Sequence, residues 1–155
     1  MPSESELRDG AGFVRYEFQM LTKAAEIWKA KNLGTYSKSN KWERRRTTDV
    51  FLLHARNLLD FFAPRKSARE ADVEAKHYDP SWECSEGSSL AGRTIVQWRD
   101  QIDKLLSHVT YNRTTMINEN TSASRWPIES LNKELVAMLD GFLMALPESR
   151  REWFG

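Results

Sequence analysis

A chain of 155 residues and 18.0 kDa is the size of one domain and buries about two-thirds of its unfolded surface on folding. With 40% hydrophobic and 29% charged residues, and only 7 Gly and 5 Pro, it is neither disordered nor fibrous. The 23 basic and 22 acidic side chains leave a formal charge of +1, so bulk charge gives no reason to bind nucleic acid or membrane, and only a local patch can.

Cys84 is the single cysteine, which excludes an internal disulfide and a thiolate metal cluster. The opening "MPSESELRDG" lacks the apolar core of a secretion signal, and no apolar run approaches the roughly 20 residues that span a bilayer. A cytoplasmic protein without a membrane partner is expected.

Val14, Phe18, Leu21, Ala25 and Trp28 recur at spacings of four and three, which predicts a helix over 13–33 ended by Gly34. A second helix is read from Asn40, where Glu43 can complete a capping box; it carries Phe51, Ala55, Leu58 and Phe62 and stops at Pro64. The third, from Leu90 to Asn112, places Ile95, Trp98, Ile102, Leu105 and Val109 on one stripe, with Ser88 or Ser89 as its cap. The fourth starts near Pro127 and runs through Ile128, Leu131, Leu135, Met138 and Phe142 to Leu146 before Pro147.

No segment alternates with period two for long enough to be a strand. The expected fold is all-α: an up-and-down four-helix bundle, one domain over residues 1–155, in which each helix buries its stripe against the others. A loop of over 25 residues, from Ala63 to Ser89, joins helices two and three and holds "DVEAKHYDPSW". The tail "ESRREWFG" is expected to dock Trp153 and Phe154 on the bundle or on a partner.

On the third helix His108 shares a flank with Gln101, Lys104, Tyr111 and Asn112. If the helices alternate in direction, Arg44, Arg45 and Arg46 lie at the height of His108, with Tyr111 and Arg113 just beyond. Arginine forks and a histidine near neutral pKa suit phosphate, so this basic pole is the candidate RNA-binding site. The plainer reading keeps "ERRR" as a solvated helix face and His108 as a helix cap.

His54 has apolar neighbours and reads as a satisfied core histidine, while Arg56 and Asp60 read as an i, i+4 ion pair. Asp72, Glu74, His77, Asp79, Glu83 and Cys84 include metal-ligand types but no paired His or Cys spacing, so no metal is expected. Ser107 and His108 point about 100° apart, which excludes a catalytic triad between them. Trp28 and Trp98 fall on seams, and Trp42, Trp82, Trp126 and Trp153 fall where they would seal the bundle.

The pair "HARNLLDFF" and "IDKLLSHVTYNR", separated by the long loop, resembles bacterial members of the HEPN superfamily (higher eukaryotes and prokaryotes nucleotide-binding). The resemblance covers about residues 45–113, and the helix count extends it over the chain. It implies an all-helical homodimer without cofactors that acts on RNA as a metal-independent ribonuclease. It also implies a toxin–antitoxin or phage-defence setting, with an antitoxin or nucleotidyltransferase as partner protein. The family's motif is an Arg, a polar residue, and a His separated from the Arg by four to six intervening residues. His108 matches the histidine and Asp103 the polar residue, but Ile102 stands where the arginine belongs, and the other allowed spacings place Asp103 or Gln101 there. The motif arginine is missing. Lys104 or Arg113 is then the replacement cation, and the expected activity is weak or absent. The alternative is a non-catalytic structural or protein-interaction bundle.

Overall fold

The computed structural model describes residues 2–32, 38–69, 71–106 and 126–155, and it is mostly helical. In chain order the elements are α1 (Glu4–Asn32), α2 (Lys38–Phe62), the short α3 (Ala75–Tyr78), strands β1 (Ser89–Leu90) and β2 (Arg93–Thr94), α4 (Ile95–Leu106), α5 (Ile128–Ala145) and α6 (Glu148–Arg151). A single 3₁₀ turn (Glu152–Phe154) follows α6.

Helix α1 starts nine residues earlier than its apolar stripe suggests because Ser3 and Glu6 form a capping box. The Glu6 N–H donates to Ser3 Oγ at 3.3 Å, and the Ser3 N–H donates to the Glu6 carboxylate at 2.7 Å. Helix α2 already runs at Lys38, so Asn40 is interior and not the predicted cap; Glu43 pairs instead with Lys31 of α1.

The third predicted helix is corrected at its start. Residues 89–94 form an antiparallel hairpin, with Leu90 paired to Arg93. Its two turn residues, Ala91 and Gly92, have φ of 47° and 77°, the left-handed pair that a two-residue hairpin needs. Helix α4 begins only after Thr94, which caps it together with Gln97: the Gln97 N–H donates to Thr94 Oγ1 at 3.3 Å, and the Thr94 N–H donates to Gln97 Oε1 at 2.9 Å. The predicted stretch from 107 to 112 lies outside the described residues, as does Gly34. The fourth helix agrees with its reading from Pro127 to Leu146.

One core takes the seams of α1, α2, α4 and α5: Phe18, Leu21, Phe51, Leu58, Trp98, Ile102 and Leu135 are all buried. Between α2 and the hairpin the chain packs instead of looping free. Tyr78 is buried and donates to the Leu7 carbonyl at 2.8 Å, and Trp82 Nε1 donates to the Phe62 carbonyl at 3.0 Å. Gly10 of α1 permits this approach, since a Cβ there would stand 2.6 Å from the Tyr78 hydroxyl. The tail docks on the same molecule: Phe154 is buried against Tyr78 and Phe142. Trp82, Trp126 and Trp153 are half-buried against the core, in the sealing role expected of them.

Candidate functional site

Helices α2 and α4 pack antiparallel, Arg56 beside Asp103 and the carbonyls of Leu59 and Ala63 beside Arg99. Arg56 and Asp60 stand one turn apart on α2, Arg99 and Asp103 one turn apart on α4, so two charged faces meet. The predicted ion pair within α2 is therefore replaced by pairs between segments. Arg56 Nε lies 2.5 Å from Asp103 Oδ1, and Arg65, just past Pro64, reaches Asp103 Oδ2 at 2.9 Å and Asp60 Oδ1 at 3.0 Å.

Arg99 is the deepest member, only 2% exposed, and sequence periodicity missed it. Its Nη1 donates to Glu86 at 3.0 Å, and its Nη2 donates to the carbonyls of Leu59, at 2.6 Å, and Ala63. It thereby occupies carbonyls at the end of α2, where a cation also meets the negative end of the helix dipole. Its Nε lies 2.8 Å from Asp60 Oδ1, an ion pair in which the N–H points off the line to the oxygen. Burial pushes the Arg99 pKa down, partly opposed by Asp60 and Glu86. Arg56, Arg65 and Arg99 balance Asp60, Glu86 and Asp103, so the cluster as a whole is neutral.

For Asp103, burial works to raise the pKa, but hydrogen bonds from Arg65 and Arg56 outweigh it and hold the carboxyl below its ordinary value. A folded pKa below the unfolded one stabilises the fold fully above the unfolded value, and that contribution is lost as pH falls through the folded value. Urea unfolding should accordingly show stability falling as pH drops below about 4, with Asp103→Asn less stable at neutral pH and flatter in acid. An equally steep acid limb in the variant would remove Asp103 as its source.

The cluster borders a cleft of about 510 Å³ lined by Arg56, Asn57, Asp60, Arg65, Arg69 and Asp72. Arg56 and Arg65 are each 32% exposed there, near enough to solvent to meet an anion that displaces their carboxylates. A second cleft of about 810 Å³ shares Arg69 and Asp72 and reaches His77. His77 Nδ1 accepts the Glu74 N–H at 3.3 Å, a structural bond at the start of α3. Among the described residues no group of three or more His, Cys, Asp or Glu is placed to hold a metal.

Of the residues singled out from sequence, Lys104 is exposed in the last turn of α4, and Arg45 and Arg46 are exposed on α2. Arg46 precedes Arg56 by ten residues, about 15 Å of helix, so this basic stretch and the Asp103 cluster are separate. Arg44 belongs to α2, while His108, Tyr111, Asn112 and Arg113 lie outside the described residues. His54 is buried and satisfied as expected, though by a charged partner and not by apolar contacts alone: its Nδ1 lies 2.6 Å from Glu17 Oε2. The ring of Tyr16 meets it edge-on at 5.9 Å.

Comparison with protein-family models, curated proteins and solved structures finds no match to this chain. No described helix is long and apolar enough to cross a membrane.

Proposed function

We propose that the protein is a divergent HEPN-like four-helix bundle that engages RNA in a toxin–antitoxin or phage-defence setting in the cytoplasm. In this reading it is a homodimer with an antitoxin or nucleotidyltransferase partner, and its metal-independent ribonuclease activity is weak or absent. The observation that supports it is the meeting of two guanidinium groups, from Arg56 and Arg65, at Asp103, the position matched to the polar residue of the family motif. In this reading Arg56 and Arg65, which meet at Asp103, stand in for the arginine absent from the linear motif.

The reaction in question is attack of a ribose 2′-hydroxyl on the adjacent phosphate. His108 handles the proton, and a cation (Lys104, Arg113 or one of the Asp103 guanidinium groups) faces the charge that develops on the phosphate. Arg56 and Arg65 are held by carboxylates, which lowers the positive charge they can offer and fits weak turnover. The charge balance of the cluster favours the second reading, a structural or protein-interaction bundle whose ion pairs serve only the fold.

RNA binding separates the two. Under the first reading, a labelled RNA binds with an affinity that falls steeply between about 50 and 200 mM salt, because phosphate contacts release counterions. His108→Ala combined with Arg44→Ala then abolishes binding or cleavage while the melting temperature stays nearly constant. His54→Ala, which leaves Glu17 with Asn57 as its remaining partner, lowers stability by about 1–3 kcal/mol without touching RNA. A large stability loss in the double variant with RNA binding unchanged would assign His108 to the core and leave the second reading.

A further inference from the structure

Helix α1 carries two apolar stripes, of which the core uses one. Phe13, Tyr16, Met20 and Ile27 fall within about 60° of one another on the helix, on a side away from Val14, Phe18 and Leu21. Phe13 is 68% exposed and Tyr16 52%. Val50 and Leu53 of α2 extend the patch and are also exposed. From Phe13 to Ile27 it runs about 21 Å along α1, and it deepens between the helices into a groove of about 300 Å³ with Met20, Ile27 and Val50 among its lining.

The mouth of this groove is basic. Lys23, Lys31 and Arg46 stand on it beside a single acid, Glu43. Between residues 23 and 49 the chain has eight Lys or Arg against three Asp or Glu, within a total charge of only +1. Lys31 pairs with Glu43, Lys23 with Glu26 at 3.6 Å and Lys29 with Glu129 at 3.7 Å, and the lining of the groove itself keeps three cations against one acid.

We propose that this groove binds an amphipathic acidic helix of a partner protein, its apolar ridge lying between α1 and α2 and its carboxylates meeting Lys23, Lys31 and Arg46. A ridge of side chains from one helix fits the furrow between two others, and an apolar face of this length matches three to four turns of a bound helix. A second copy of this chain would set the same cations against one another, at a cost in repulsion. A bilayer is flat and fits a convex stripe, not a furrow sunk between two helices. Single-stranded RNA would leave the long aliphatic floor of Met20, Ile27 and Val50 without a matching surface.

The test uses a fluorescein-labelled helical peptide of about 18 residues, with leucines at i, i+3, i+4 and i+7 and glutamates on the flanks. A twin has lysine for each glutamate. Fluorescence anisotropy on the full chain should show saturable binding of the glutamate peptide, with the lysine twin at least about tenfold weaker. Ile27→Asp and Val50→Asp should each weaken binding by about tenfold or more, with helical circular dichroism unchanged since both side chains are exposed. Met144→Asp, at an exposed apolar site on α5, should leave it unchanged.

Equal binding of the two peptides, or binding of neither, would overturn the proposal. So would phosphatidylglycerol vesicles whose binding is lost in Ile27→Asp and Val50→Asp, or a dimer by light scattering that these substitutions turn into a monomer. The RNA reading uses neither Ile27 nor Val50, so the two can fail separately.

Discussion

Arg99→Ala is expected to destabilise the protein by about 3–5 kcal/mol, the cost of stranding a buried charge network by removing one partner. The substitution takes donors from the Leu59 and Ala63 carbonyls and the counter-charge from Asp60 and Glu86 at once. Thermal unfolding followed by circular dichroism should drop by roughly 6–20 °C for a chain of this length. Arg99→Lys should recover only part of this, because an ammonium lacks the planar fork that spans two carbonyls and a carboxylate. Replacing Arg99, Asp60 and Glu86 together by Met, Asn and Gln should cost less than Arg99→Ala alone, since no charge is then left buried without a partner. A loss below about 1 kcal/mol for Arg99→Ala would mean that water, and not Arg99, satisfies these groups.

The helix seams were legible because burial against neighbouring helices imposes a 3.6-residue period on apolar side chains. Phe51, Leu58, Trp98, Ile102 and Leu135 were all read as seam and all are buried. Boundaries set by polar capping were harder. "SESE" at the start of α1 and "TIVQ" at the start of α4 are capping boxes in plain view, yet the apolar stripe drew the first boundary too late and the second too early. Ala91 and Gly92 supplied the only turn signal for the hairpin, and two-residue strands have no room for an alternating pattern.

Arg99 stayed hidden for a different reason. It sits next to Trp98 on a helix whose stripe is otherwise apolar, and a guanidinium on that edge reads as solvated unless its partners are known. Those partners, Asp60, Glu86 and two backbone carbonyls, lie 13 to 40 residues away along the chain. Arg56 and Asp60 misled in the opposite sense. Their spacing satisfies a local pair, but Asp103 and Arg65 compete for them across the interface and win. Of the candidate site, Lys104, Arg45 and Arg46 are exposed. Convergence on Asp103 could not be read from spacing within any one helix.

The second large effect is expected at Phe142. Its ring lies in edge or near-edge contact with those of Phe61, Phe62, Tyr78, Trp82 and Phe154, at centroid distances between 5.3 and 6.4 Å. These five neighbours come from the end of α2, from the chain between α2 and the hairpin, and from the tail, so one side chain on α5 touches three segments that also meet one another through Phe61–Tyr78, Phe62–Trp82 and Tyr78–Phe154. Phe142→Ala should cost about 3–5 kcal/mol, from lost transfer energy and from a cavity that rings fixed on other elements cannot close. Phe142→Leu should cost less, because it keeps most of the volume and loses the ring contacts. Trp82 reports on the site directly: its centroid is 5.3 Å from that of Phe142, and its fluorescence should red-shift in the alanine variant as the cavity admits water. Amide exchange should accelerate over residues 75–82 and 148–154 more than over α1 and α2, because these short segments lie against the ring cluster while α1 and α2 have a long seam of their own. If Phe142→Ala instead loosened all elements equally, the aromatic cluster would be part of one cooperative core and not the clasp that fastens these two segments to it.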